Sequence, residues 1–142
     1  MTVEELKKNN LILFECVAGS KAYGLSTGTS DTDIRGVFIL PERDFFGLHY
    51  TEQVSSDNNN IVYYELKRFV ELLARNNPNV LELLAIKGEF VQREDPLFRL
   101  LTPGLFLSKH CKDTFARYAF SQIKKAWGLN KKILNPIAPE RK

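Results

Sequence analysis

Residues 11–37 read LILFECVAGSKAYGLSTGTSDTDIRGV, and this stretch decides the fold. The apolar run over 11–18 has the length and the flanking residues of a mostly buried strand, and Gly19 ends it. A second strand is predicted over 33–40, which is rich in β-branched and aromatic residues, and the following proline stops it. Between the two strands we expect a short helical turn and a loop of small polar residues over 26–30.

The rest of the chain continues with one more strand and several helices. Apolar residues from Leu66 to Leu73 recur at the i, i+3, i+4, i+7 spacing of a buried helical stripe. The elements predicted after the second strand are a helical turn over 43–48, a polar loop over 51–60, a strand over 61–64, helices beginning near 66 and at 78, and a last helix from about 107 to about 127 that ends at Gly128. This order predicts an α/β fold, α+β in stricter usage, with a small mixed sheet flanked by helices.

The composition is that of one globular domain. The chain has 142 residues, of which 44% are hydrophobic and 26% charged, and these values exclude disordered, collagenous and coiled-coil proteins. No apolar run reaches the roughly 18 residues that a membrane span needs, and residues 1–5 carry acids where a secretory signal carries bases. Cys16 and Cys111 do not make a disulfide framework, so we expect both as small core residues. A cytoplasmic protein without a membrane partner is therefore expected.

Charge is distributed unevenly along the chain. Residues 1–107 hold 11 Lys or Arg and 15 Asp or Glu, a net charge of −4, whereas residues 108–142 hold 9 and 2, a net charge of +7. The basic segment also contains aromatic residues, a mixture that suits RNA and other nucleic acids. The alternative is an amphipathic helix with a solvated Lys/Arg face.

The motif in the opening stretch has the residue types of a metal-nucleotide site. A Gly19-Ser20 pair at a strand-to-helix junction leaves helix N–H groups free to meet phosphate, and glycine lets the phosphate come close to the backbone. Asp31 and Asp33 stand at i and i+2 where the second strand begins, so their carboxylates point to one face and can converge on a hard cation such as Mg²⁺. Together they describe a site for a metal-bound nucleoside triphosphate.

Three other interpretations apply to the same residues. Residues 19–26 have the glycine spacing of a P-loop, but Leu25 stands where the phosphate-binding lysine is required. Residues 31–42 imitate an EF-hand loop, with Arg35 placing a cation at a ligand position. The sequence Ser-Asp-Thr-Asp is also a common turn and capping composition.

Gly19-Ser20 followed by SDTDIRGV over 30–37 resembles the signature of the DNA polymerase beta superfamily of nucleotidyltransferases. Residues 19–25 and the segment NPNVLELL over 77–84 resemble one bacterial and phage branch of it, and the likeness covers roughly residues 10–125. The resemblance implies a magnesium-dependent, ATP-binding type of enzyme. It would transfer a nucleoside monophosphate from a nucleoside triphosphate to a hydroxyl acceptor with two Mg²⁺ ions, or Mn²⁺ in their place.

The resemblance also implies roles for individual residues. Gly19 and Ser20 would contact the triphosphate, and Asp31 and Asp33 would bind metal and act in catalysis. Two cations near the motif, Lys21 and Arg35, are expected to neutralise phosphate charge.

The superfamily uses a third carboxylate on a neighbouring strand, within an apolar–acid–apolar triplet. Tyr64-Glu65-Leu66 fits that triplet, so Glu65 is the expected third metal ligand and the acceptor of the hydroxyl proton. The alternative is that Glu65 is a helix N-terminal acid stabilised by the macrodipole. Asp57, in the polar loop, is the reserve candidate.

We therefore expect a nucleotidyltransferase-like catalytic core over 1–107 and a basic helical segment over 108–142. The stretch 135–139 ends without a packed element, as in a chain cut from a longer protein, so that segment is expected to begin a larger part. The acceptor stays open among an RNA end, a protein side chain and a small molecule. The alternative function is that of a non-catalytic nucleotide- or RNA-binding regulatory protein with the same fold.

Overall fold

The computed structural model describes residues 1–21, Gly24, 31–48 and 50–134, with no side-chain description for Ser20 or beyond Gly128. The predicted loop over 26–30, Leu25 and the chain end over 135–139 lie outside the described residues. The strands are β1 (Ile12–Ala18), β2 (Asp33–Phe38), β3 (Gln53–Ser55), β4 (Ile61–Glu65) and β5 (Val91–Glu94). The α-helices are α1 (Val3–Lys8), α2 (Glu42–Phe45), α3 (Leu66–Ala74), α4 (Pro78–Ala85), α5 (Pro103–Phe106) and α6 (His110–Leu134).

The five strands form one mixed sheet in the order β3-β4-β2-β1-β5. Strand β2 runs antiparallel to β1 and parallel to β4, and both edge strands pair antiparallel with their neighbours. A mixed sheet with helices packed on it confirms the predicted α+β fold.

Each face of the sheet is covered by its own hydrophobic cluster. Phe14, Cys16 and Val37 project to the face on which α3 and α4 pack, here called the helical face. The opposite face, with Phe38 and Tyr63, is covered by α1. The fully buried Cys16 matches its expected core position, and Cys111 packs at the edge of the helical-face cluster.

Four of the strands and α-helices were not expected from the sequence: β3, β5, α1 and the four-residue helix α5. Strand β3 lies inside the stretch 51–60 that was expected to be a loop, and it buries only Val54. Strand β5 is a four-residue edge strand without a buried residue, and α1 is a six-residue helix that buries Val3 and Leu6. Elements this short hold too few apolar residues to produce a recognisable period.

The last helix also differs from its prediction. Helix α6 begins at His110 and continues through Gly128 to Leu134. A glycine in a helix interior costs only about 1 kcal/mol relative to alanine, so it does not by itself end a helix. Within the described part of the chain, no helix is both long and apolar enough to cross a membrane.

Buried Asn76 fixes the start of α6 against the end of α3. Its side-chain amide donates to the Phe106 carbonyl at 2.8 Å, and its side-chain oxygen accepts from the backbone N–H and the hydroxyl of Ser108, both at 3.0 Å. Asn76 itself has a φ of +52°, a conformation that asparagine tolerates better than most residues. These contacts set the position from which α6 begins and packs against α4.

Candidate active site

Gly19 and Asp33 bring the two halves of the motif together. Strand β1 pairs with β2 so that Ala18 lies opposite Asp33, and a 3₁₀ turn over Gly19–Lys21 follows directly. Gly19 has a φ of +68°, and a Cβ built on it would lie 2.5 Å from Asp33 Oδ2. Only glycine therefore allows both this turn and this position of the carboxylate.

Arg35 holds the Asp33 carboxylate from the other side. Its guanidinium lies 3.1 Å from Asp33 Oδ1 and also donates to the carbonyls of Ile34, at 2.9 Å, and Asn60, at 3.0 Å. The Asp33 side chain is 33% exposed, so it is open to a ligand while its orientation is fixed. Arg35 presents positive charge on the same face, where an anionic ligand would meet it.

Asp31 and Lys21 are two residues from Asp33 and Gly19 along the chain, and neither lines the cavity that opens over Asp33. Strand β2 begins at Asp33, so Asp31 precedes the strand, and the strand period does not fix its direction. Asp31 is exposed, and the Lys21 ammonium donates to the Thr32 hydroxyl between the two aspartates. Ser20 lies in the 3₁₀ turn, and its side chain is outside the described part of the chain.

A cavity of about 440 Å³ opens over Asp33 on the helical face. The sheet supplies its floor and α4 and α6 supply its wall. The residues that matter for the site are Gly19, Asp33, Arg35, Tyr64, Glu82 and Tyr118. Its size lies within the range of small-molecule sites, about 300–1,000 Å³.

Glu65 lies at the far end of the sheet from Asp33. In the parallel register of β2 and β4, Glu65 is paired with Phe38, five residues along β2 from Asp33, and this places the two acids roughly 16 Å apart along the strands at about 3.3 Å per residue. Glu65 is only 1% exposed, and its carboxylate caps α3 by accepting from the N–H groups of Lys67, at 2.7 Å, and Arg68, at 3.3 Å.

The Tyr50 hydroxyl donates to the same carboxylate, and burial together with this hydrogen bond raises the pKa of Tyr50 above its usual value. The structure thus places Glu65 as the helix N-terminal acid and does not bring it to the aspartates.

Asp57 lies at the same end of the sheet as Asp33, but it lines a different cavity. It lies in the turn that joins β3 to β4, and it lines a space of about 290 Å³ next to Thr2 and Glu4 at the start of α1. That space is not the one over Asp33, so Asp57 does not face the site.

Glu82 is the carboxylate that sequence reasoning missed. It projects from α4 into the cavity over Asp33, while its neighbours Leu81 and Leu83 are buried. Among the described residues it has no hydrogen bond or ion pair that would explain it structurally. A single acid within the apolar segment 77–84 was the available signal, but only the packing of α4 on the sheet gives it a direction.

The acids at this cavity fit a hard divalent cation by chemical type. Carboxylate oxygens are preferred ligands of Mg²⁺ and Mn²⁺. Across the described ranges, no three His, Cys, Asp or Glu side chains are grouped closely enough to hold a metal together. Residues 33–38 form a strand, which is incompatible with the EF-hand loop considered for 31–42.

The fold and the motif geometry together define a nucleotidyltransferase-like domain of the polymerase beta type. The chain belongs to RlaP, the RNA repair pathway DNA polymerase beta family, which it matches over residues 2–134. This match confirms the superfamily resemblance seen in the sequence.

A relative is found among the proteins of Enterobacteria phage T4. It is an uncharacterized 38.9 kDa protein from the nrdC-mobD intergenic region, and it is 33% identical to this chain over 88 residues. The match covers 54% of this chain and 26% of the phage protein. No solved structure matches the chain.

Proposed function

We propose that the protein transfers a nucleoside monophosphate from a nucleoside triphosphate to a hydroxyl acceptor. The acceptor oxygen bonds to the α-phosphorus as the bond to the bridging oxygen breaks, so that pyrophosphate leaves with the electron pair. The observation that carries this proposal is the contact of Gly19 with Asp33 beneath one cavity, in a chain of the polymerase beta type.

The residues around the cavity have distinct roles in this proposal. The backbone N–H groups of the Gly19–Lys21 turn bind the triphosphate, with Arg35 and Lys21 balancing its charge. Asp31 and Asp33 hold Mg²⁺ or Mn²⁺, which, when bound, neutralises the triphosphate and makes the acceptor hydroxyl more acidic.

Glu82 replaces Glu65 as the third carboxylate. It faces the same cavity as Asp33 from the helix side, which supports a role as a metal ligand or as the base that takes the hydroxyl proton. Because this acid comes from a helix, its approach to Asp33 depends on how α4 packs on the sheet.

An assay of pyrophosphate release tests the proposal. The purified chain is incubated with Mg²⁺, each of the four nucleoside triphosphates and a mixed RNA acceptor. Release by the wild type and a loss of at least 100-fold in Asp33→Asn are expected. Asp44→Asn replaces a partly exposed aspartate of α2 that does not line the cavity, and as the matched control it keeps full activity.

The alternative is a regulatory protein that binds nucleotide or RNA without turnover. The Arg35–Asp33 ion pair favours it, because a guanidinium at 3.1 Å competes with a cation for the carboxylate. Nucleotide binding without pyrophosphate release would establish this alternative.

RNA is the acceptor that the charge distribution favours. Helix α6 carries four exposed cations among its described side chains, and Lys109 directly precedes it; the four are Lys112, Arg117, Lys124 and Lys125. It also exposes Phe120 and Trp127, each 70% exposed, which offer stacking surfaces. RNA binding that weakens steeply between 50 and 200 mM salt is expected, and binding independent of salt would contradict an electrostatic role for α6.

A further inference from the structure

The cavity over Asp33 has two chemically different sides. The sheet side carries the charged pair Asp33 and Arg35. The helix side presents the apolar Leu83 and Ile86 and the ring of Tyr118, and on this side α4 also contributes the polar Asn79 and Glu82. A nucleoside triphosphate has the same division, since one end is polyanionic and the other is a flat aromatic base.

Tyr118 is well placed to contact the nucleobase of a nucleoside triphosphate. Among the described side chains of α6, it is the one that lines the cavity, and 36% of its surface stays exposed. In the part of the chain that the structure describes, its hydroxyl has no hydrogen-bond partner, so no polar contact accounts for its position. An aromatic ring with an open face at a cavity wall is the group on which nucleobases stack.

We infer that Tyr118 is the base-stacking residue of the site and that the nucleobase of the triphosphate packs between it and the apolar edge of α4. This inference rests on the proposed function, because it takes the triphosphate to lie at Gly19 and Asp33. Helix α6 would then both carry positive charge and contribute a residue that binds the nucleobase. Tyr118 thereby closes the nucleotide site with a residue from outside the segment 1–107.

The test compares two ligands that share the phosphates but not the base. Equilibrium binding of ATP and of inorganic tripolyphosphate is measured for the full chain with Ca²⁺ in place of Mg²⁺. Tyr118→Ala is expected to weaken ATP binding about tenfold or more while leaving tripolyphosphate binding unchanged. Tyr118→Phe keeps the ring and is expected to bind ATP like the wild type.

Two further variants separate stacking from damage to the fold. Phe115→Ala removes an aromatic side chain of the same 36% exposure from the same helix outside the cavity, and ATP binding is expected to be unaffected. Tyr118→Leu keeps apolar bulk without the ring, and it is expected to weaken ATP binding as alanine does.

The contrary outcomes are distinct from one another. If Tyr118→Ala and Tyr118→Leu bind ATP as the wild type does, or if they lose ATP and tripolyphosphate alike, Tyr118 is not the stacking residue. A loss confined to a short RNA would assign Tyr118 to the acceptor and overturn the inference. If the wild type binds tripolyphosphate but ATP no more tightly, the inference fails while the proposed function stands. If it binds neither, both fail.

Discussion

Gly19 and Asp33 are in direct contact, with the glycine Cα facing the carboxylate so closely that a Cβ would lie 2.5 Å from Oδ2. The antiparallel pairing of β1 with β2 produces this contact by setting Ala18 opposite Asp33. The turn proposed to bind phosphate and the carboxylate proposed to bind metal thus meet at one point of the sheet. The contact also explains why no larger residue is compatible with position 19.

Gly19→Ala is expected to impair nucleotide binding at least tenfold and to lower the free energy of unfolding by about 1–3 kcal/mol. Alanine brings both the strain of a positive φ and a clash with Asp33. Gly88→Ala is the matched control, because Gly88 has a φ of +70° but open space around it. Denaturant unfolding and ATP binding measure both variants. Equal effects of the two substitutions would show that the contact with Asp33 is unimportant.

Glu65→Gln and Glu82→Gln are expected to have opposite consequences. Loss of the Glu65 charge weakens the cap of α3, so the free energy of unfolding falls by about 1 kcal/mol while transfer persists. Glu82→Gln leaves stability within about 0.5 kcal/mol, because Glu82 has no described partner, and it reduces transfer at least 100-fold. Thermal unfolding and pyrophosphate release distinguish them. Full activity of Glu82→Gln would remove Glu82 from the site.

Replacing Asn76 is expected to loosen α6. Asn76→Gly keeps the positive φ but removes the hydrogen bonds to Phe106 and Ser108, so the free energy of unfolding falls by about 2 kcal/mol. Asn59→Gly, at a φ of +57° in an exposed turn, is the control and is expected to be nearly neutral. Urea unfolding measures both. Equal stability of Asn76→Gly and the wild type would mean that these bonds do not hold α6.

The thiol of Cys16 is expected to be inert in the native protein. Burial raises its pKa to about 12, so only about one molecule in 10⁴ carries the thiolate at pH 8. A disulfide reagent at pH 8 is expected to label Cys111 of the native protein well before Cys16. In urea, both thiols are expected to react equally fast. The variant Cys111→Ser shows which of the two reacts slowly. Because the thiol of the unfolded chain ionises near its ordinary pKa of 9.0, this contribution to stability is present below pH 9 and falls as the pH rises from 9 towards 12. Rapid native labelling of Cys16 would contradict its buried state.

Much of the fold could be predicted because β1, β2, β4, α3 and α4 each hold enough apolar residues to reveal a period. Strands β3 and β5 could not, since they are edge strands of three and four residues whose existence depends on the neighbour they pair with. The glycine at 128 misled the prediction because a single glycine is a weak signal within a 25-residue helix.

The sequence likewise predicted part of the candidate site and missed the rest. The meeting of Gly19 with Asp33 could be foreseen, since both stand at the junction of two adjacent strands. The position of Glu65 could not, because the strand register alone decides which end of β4 lies beside Asp33. Glu82 and Tyr118 reach the cavity only through the packing of α4 and α6, which no local pattern encodes.

The central claim is that the Gly19–Asp33 junction is a site of nucleotidyl transfer, and a double-label experiment tests it most directly. ATP labelled at the α-phosphate and ATP labelled at the γ-phosphate are incubated in parallel with the protein, Mg²⁺ and an RNA acceptor. Asp33→Asn and Asp44→Asn are run beside the wild type. The account predicts that the α label becomes covalently attached to the acceptor and the γ label appears in pyrophosphate, with both signals lost in Asp33→Asn alone. Release of the γ label as orthophosphate, or transfer that persists in Asp33→Asn, would contradict it.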